Sequence, residues 1–260
     1  NIIKIISIYY GTLSRLCCPV TLSYNKQLDK QKEFKLSRKT WIIFIVVVFI
    51  IFASIIFIAN RGKIDVSSLD PNKIMPASAD SGDIADHVLG NKDSKVVMIE
   101  YGDFQCPTCS TVAENIKIVT ERHKDQLAFV FRNFPITSIH PNALAASATA
   151  EAAGLQGKYW EMNDKIFTSQ NTWTNLSAID RTSYFNELAR GLGLNLESFT
   201  NDISSERVSQ KIAFDQALAK KVGVSGTPTV YINGEIIPLD KLTDEAKLET
   251  VISEAIEKYK

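Results

Sequence analysis

Residues 41–59 read WIIFIVVVFIIFASIIFIA, an apolar run that carries no charge. At about 1.5 Å per residue a helix of this length spans about 28 Å, close to the hydrocarbon core of a bilayer. A buried helix of a soluble protein is the alternative, and the length and purity of the run argue against it. The run is also long for a signal-peptide core, and no clear A-x-A cleavage site adjoins it. The expectation is one uncleaved transmembrane anchor at 41–59.

Positive charge sets the orientation. Lys26, Lys30, Lys32, Lys35, Arg38 and Lys39 precede the run, whereas only Arg61 and Lys63 follow it closely. The positive-inside rule places residues 1–40 in the cytoplasm as an N-terminal tail and everything after residue 60 outside. The expected location is thus the cell membrane, single-pass, with the larger part of the chain extracytoplasmic. There dithiols can oxidise and disulfides persist. The first methionine is Met75, beyond the anchor, so the start of the tail is uncertain. Cys17 and Cys18 follow Arg15 and Leu16, which do not suit lipoprotein acylation, and read as incidental.

Function classes can be excluded from the rest of the composition. The 260 residues carry 29 basic and 29 acidic side chains, with no Lys/Arg-rich face, so nucleic-acid binding is not expected. Neither GxGxxG nor GxxxxGK[ST] occurs, so no phosphate loop is expected.

Residues 60–85 are rich in Ser, Asp and Pro, lack periodicity and read as a linker or stalk. A compact region is expected from Asp86. KVVMIEYG (95–102) and LAFVFRNF (127–134) are strand-like. Between them, residues 107–124 place Val112, Ile116 and Val119 on one helix face. Helical patterns follow at 142–156, 158–170, 178–193 and 206–223. Asn233-Gly234 between apolar runs signals a hairpin. Thr243 is a plausible cap for a closing helix. The order is α/β, with a helical block inserted in the middle.

The chemistry centres on EYGDFQCPTCST, residues 100–111. Cys106 and Cys109 flank Pro107 and Thr108 at the expected start of the 107–124 helix. Pro107 suits a first helical turn, where its missing N–H costs nothing. Zinc would want about four ligands, but no other cysteine follows residue 60, and His87, His123 and His140 are scattered. A structural disulfide over so small a loop would stabilise little. Redox exchange fits better. A helix N-terminus stabilises a thiolate, and the thiolate is the attacking form. Cys106 then reads as the nucleophile and Cys109, one turn in, as the buried resolving thiol.

EYGDFQCPTC, the later GTPTV and the intervening HPNALAASATAEAAGLQGKYWEMNDKIF together resemble the DsbA-like thiol–disulfide oxidoreductases. The resemblance covers roughly residues 86–259 and is nearest to the membrane-anchored forms of bacteria with Gram-positive-type envelopes. It implies a thioredoxin-like fold over 86–260, with a helical domain inserted at about 138–222. It implies a cis bond at Thr227-Pro228, beside the cysteines, where an extended substrate segment would bind. It implies that Glu100 assists proton transfer to the resolving cysteine, against the plain reading of a solvated glutamate. His140, in HPNA, reads as a cap or packing residue.

One departure matters. Enteric DsbA has a histidine before the second cysteine; here Thr108 brings no charge, so a less depressed Cys106 and a less oxidising couple are expected. The activity implied is insertion of disulfide bonds into secreted or cell-surface proteins, without a cofactor or metal. Re-oxidation would come from a quinone-linked membrane partner of the DsbB or vitamin K epoxide reductase type. A reductase or isomerase on the same fold, or a non-catalytic peptide-binding module, are the alternatives.

Overall fold

The computed structural model describes residues 37–60 and 64–259, in two compact units divided after residue 62. Cys17, Cys18, Lys26, Lys30, Lys32, Lys35, Arg61 and Lys63 lie outside the described residues.

In the first unit, helix α1 spans Arg38–Asn60. Its entry is capped by Ser37, whose Oγ accepts the Thr40 N–H at 3.3 Å. The segment Arg38–Ile56 is long and apolar enough to cross a membrane, and none of it is buried. The reading of this run as a core helix fails on that point, since a core helix would be covered.

The second unit is built on one sheet of order β1-β3-β2-β4-β5. Strand β1 is Val88–Gly90, β2 Val96–Gly102, β3 Leu127–Asn133, β4 Thr229–Ile232 and β5 Glu235–Ile237. β2 and β3 are parallel, joined through helix α2 (Pro107–Arg122); the other neighbours pair antiparallel. At the β4–β5 turn Asn233 (φ 49°) and Gly234 (φ 86°) both take positive φ, which explains that dipeptide.

Both faces of the sheet are covered, and strand alternation sorts the side chains. Val96, Met98, Phe129 and Phe131 enter the core with Val112, Ile116 and Val119 of α2. Leu248, Ile252 and Ile256 of the closing helix α10 (Glu245–Tyr259) join them. Ile99, Tyr101 and Val130 face the other way, against Phe214 and Leu218. Glu100 follows Met98 by two and so belongs to the α2 face.

Six helices lie between β3 and β4: α3 (Ala143–Gly154), α4 (Tyr159–Thr168), α5 (Gln170–Trp173), α6 (Ala178–Gly191), α7 (Leu196–Ile203) and α8 (Glu206–Lys221). A short α9 (Leu239–Leu242) precedes α10. β1, α5, α7 and α9 add to the elements expected from sequence. At α10 the Asp244 carboxylate, not Thr243, accepts the Lys247 N–H at 3.1 Å and supplies the cap; Thr243 instead closes α9.

The linker expectation does not hold over residues 64–85. Val66, Met75 and Ile84 are buried. The segment lacks periodicity because cations hold its backbone, not a ladder. Lys221 donates to the carbonyls of Val66, Ser67 and Leu69. Arg132 donates to those of Pro71 and Lys73.

Candidate active site

β2 ends at Gly102, where a Cβ would stand 2.2 Å from the Phe131 ring. Glycine there lets Phe131 pack at 4.9 Å on Phe104, which in turn lies 4.8 Å from Phe167. This aromatic cluster fixes the turn from which α2 starts. Cys106 is the N-cap of α2, with Pro107 in its first turn.

The two thiols are free and unequal. Cys106 is 7% exposed and Cys109 fully buried. The Cys106 thiol donates to the Thr227 carbonyl at 3.4 Å. Its pKa is drawn down to about 5, first by the hydrogen bond from Cys109. Burial opposes the shift; the Thr227 side chain and the backbone N–H groups of Cys109 and Thr108 favour it. The Cys109 thiol is pushed well up, first by burial, then by the Cys106 bond and the Glu100 charge. The Asp103 N–H, donating to Cys109 Sγ at 3.5 Å, pulls the other way.

Of the two positions open to Glu100, the structure takes the buried one: it is 1% exposed, and its carboxyl lies against the Cys109 thiol. Its pKa is raised to about 8, chiefly by burial and further by a Cys106 anion, while the Cys109 bond opposes. Oε1 has no hydrogen-bond partner among the described residues. A cavity of about 850 Å³ reaches Glu100, with Ala113 and Lys117 of α2 and Asn163 of α4 on its walls.

The Thr227-Pro228 peptide bond is cis. Cys106, Pro107, Thr108, Cys109, Glu100 and Thr227 therefore meet in one place, with Pro228 adjoining. Among the described residues no cluster of His, Cys, Asp or Glu suits a metal ion.

Three polar residues around the site were not singled out from sequence. Asp103 is fully buried, and its Oδ1 accepts the Gln105 N–H at 2.7 Å. The Gln105 side chain accepts from Asn142 N and donates to the Thr174 carbonyl. Gln170 Nε2 donates to the carbonyls of Phe104 and Cys106, at 2.8 and 2.9 Å. The helical insertion thus holds the loop before the cysteines by its backbone. Only the Asp103 contact has a local signal, an Asx turn two residues long. His140 is not a cap: its Nδ1 meets Asp103 Oδ2 at 2.8 Å.

Comparison with known proteins agrees with this geometry. The family described as Thioredoxin matches residues 83–257. The chain belongs to the thioredoxin family. Curated relatives include the Na(+)/H(+) antiporter NhaA 1 of Mycolicibacterium gilvum, 37% identical over 152 residues, covering 58% of this chain and 24% of that one. NhaA 3 of Salinispora tropica is 33% identical over 177 residues, covering 68% and 24%. The chain spans about a quarter of the length of these curated relatives. A thioredoxin-like oxidoreductase from Silicibacter pomeroyi superposes with a TM-score of 0.54 at 25% identity, covering 66% of this chain and 92% of that one. BdbD from Bacillus subtilis gives 0.58 at 20% identity, covering 71% and 98%. The thiol-disulfide exchange protein alpha-DsbA2 of Wolbachia pipientis gives 0.56 at 20% identity, covering 67% and 87%. The fold is the thioredoxin-like fold of DsbA proteins, with inserted helices.

Proposed function

We propose that the protein is a membrane-anchored thiol–disulfide oxidoreductase that introduces disulfide bonds into secreted or cell-surface proteins. The observation that carries this reading is the asymmetry of the dithiol: Cys106 caps the N-terminus of α2 and has its pKa drawn down to about 5, beside a fully buried Cys109 whose thiol is pushed well up. The better the reduced form is stabilised, the more strongly the disulfide draws electrons.

Starting from the Cys106–Cys109 disulfide, a substrate thiolate attacks Cys106 Sγ. The bond to Cys109 breaks, and Cys109 leaves with the electron pair. Glu100, protonated at neutral pH, gives Cys109 its proton. A second substrate thiolate then attacks the substrate sulfur of the mixed disulfide. Cys106 leaves as a thiolate, the substrate is oxidised and the enzyme dithiol is reduced. The cavity at Glu100 supports a proton route to solvent beside α2.

The Thr227–Pro228 backbone next to Cys106, in the loop before β4, suits pairing with an extended substrate segment. Re-oxidation is assigned to a quinone-linked membrane protein of the DsbB or vitamin K epoxide reductase type. The apolar α1 and the charge asymmetry around it support a catalytic domain outside the membrane.

The test is the reduction potential of the full chain in detergent, equilibrated in glutathione buffers and read by thiol trapping. A value of about −120 to −180 mV supports the oxidase, and one near −270 mV, the thioredoxin value, assigns a reductase instead.

A further inference from the structure

Asp103 touches both cysteines through its backbone. Its N–H donates to Cys109 Sγ at 3.5 Å, and its carbonyl accepts the Cys106 N–H at 3.0 Å. The Gly102–Asp103 peptide is in turn held by the loop between β3 and α3. The Phe134 N–H donates to the Gly102 carbonyl at 2.7 Å. The Asp103 carboxylate, fully buried, takes the Ile136 N–H and His140 Nδ1 on the same oxygen, each at 2.8 Å. His140 supplies the one ionisable side chain paired with that carboxylate among the described residues. Its own N–H is anchored to the Ile136 carbonyl at 2.9 Å, and its side chain is 17% exposed.

Without the imidazole, a buried carboxylate would rest on backbone N–H groups alone, beside the N-terminus of α2 where the Cys106 thiolate also sits. A buried anion that loses a partner moves toward other donors or water. The peptide it belongs to moves with it. That peptide carries the N–H that favours ionisation of Cys109. Cys109 must ionise to attack a mixed disulfide, the reverse of its departure when substrate opens the disulfide, so the contact bears on that step and not on attack by Cys106.

We infer that His140 is a positioning residue: through the Asp103 carboxylate it holds the Asp103 N–H on the Cys109 sulfur, and so sets the rate at which Cys109 resolves a mixed disulfide. The inference rests on the reading of Cys106 as nucleophile.

The test uses the reduced full chain in detergent, carrying Cys17→Ser and Cys18→Ser, with 5,5′-dithiobis(2-nitrobenzoate). In the first phase the Cys106 thiolate attacks the reagent, its S–S bond breaks and one thionitrobenzoate leaves. In the second, Cys109 gives its proton to solvent, its thiolate attacks Cys106 Sγ, the mixed disulfide breaks and a second thionitrobenzoate leaves. His140→Ala should slow the second phase by about tenfold and leave the first within about twofold, within what a small misplacement of a reacting contact costs. His140→Asn, whose amide N–H falls near the imidazole Nδ1, should recover most of the loss. His140→Phe keeps ring volume without the donor and serves if the alanine variant does not fold. An unchanged second phase, equal slowing of both phases, or an asparagine variant as slow as alanine overturns the inference. Mapping the adduct separates the failures. An adduct on Cys109 overturns the assignment of Cys106, whereas one on Cys106 with an unaltered second phase overturns only the role of His140.

Discussion

Glu100 lies against Cys109 on the α2 face of the sheet, with Oε1 unpartnered among the described residues. Strand alternation puts it there, since Met98 two residues earlier enters the same core. A carboxyl so placed bears on both chemistry and stability. Unfolded, it ionises near 4.5; folded, near 8. Below pH 4.5 both states hold the proton. Above it the unfolded chain releases the proton while the folded chain keeps it, so stability falls up to about pH 8 and then levels. Glu100→Gln removes this loss, which amounts to about 3 kcal/mol between pH 4.5 and 7. Chemical denaturation of both proteins at the two pH values should show the mutant gaining on the wild type as pH rises. The same mutant should open the Cys106–Cys109 disulfide more slowly at pH 7, since the departing Cys109 loses its proton donor.

Cys106 gives the opposite linkage in the reduced protein. Its folded pKa of about 5 lies below the unfolded thiol value, so the thiolate stabilises the reduced form. That contribution is complete above the unfolded value, about 8.5, and is lost as pH falls toward 5. The melting temperature of the reduced protein should therefore rise relative to the oxidised protein between pH 5 and 8.5. Absorbance at 240 nm should titrate one thiolate near pH 5. A single titration near 8.5 would contradict the site geometry.

Thr108 occupies the second position of α2, where its N–H helps hold the Cys106 thiolate. A cationic side chain there would add charge that the hydroxyl lacks. Thr108→His should lower the Cys106 pKa and raise the reduction potential, by about 30 mV for each tenfold gain in the stability of the reduced dithiol. Thiolate titration and glutathione equilibration should move together. A potential that stays fixed while the pKa falls would break the link between thiolate stability and oxidising strength.

Much of this site is legible in the sequence. The cysteines, Pro107 and the helix after them are local signals, readable from spacing and helix-start chemistry. Glu100 stood out as the lone acid in an apolar strand, although only packing decides whether such a residue is buried. Asp103, Gln105 and Gln170 were not legible, because their partners come from the helical insertion far along the chain. Residues 64–85 misled for a related reason. Their backbone is held by Lys221 and Arg132, and a carbonyl bound to a distant cation leaves no periodicity in sequence. α3 shows the reverse case: its alanine-rich run is buried on nearly all sides, so it announces a helix without showing which face meets the core.

The attachment of residues 64–85 centres on Asp86. Its Oδ2 accepts the Met75 N–H and the Arg132 guanidinium, both at 2.8 Å, and its Oδ1 accepts Lys211 Nζ at 2.9 Å. All three charged side chains are buried. Although burial opposes ionisation, Lys211 and Arg132 hold the Asp86 carboxyl well below the usual carboxylate range. Lys211 would keep Asp215 at 2.6 Å if Asp86 were lost, but Arg132 would retain only neutral acceptors: Tyr101 and the Pro71 and Lys73 carbonyls. An uncompensated buried cation costs about 3–5 kcal/mol, so Asp86→Ala should lower stability by that order at pH 7. The loss should shrink in acid, since the carboxylate contribution disappears as pH falls through its depressed folded value. Arg132 also grips the Pro71 and Lys73 carbonyls, so the same mutant should become sensitive to limited proteolysis within 64–85. If cleavage there is unchanged while stability falls, the cluster supports the sheet alone and the segment is held by Lys221.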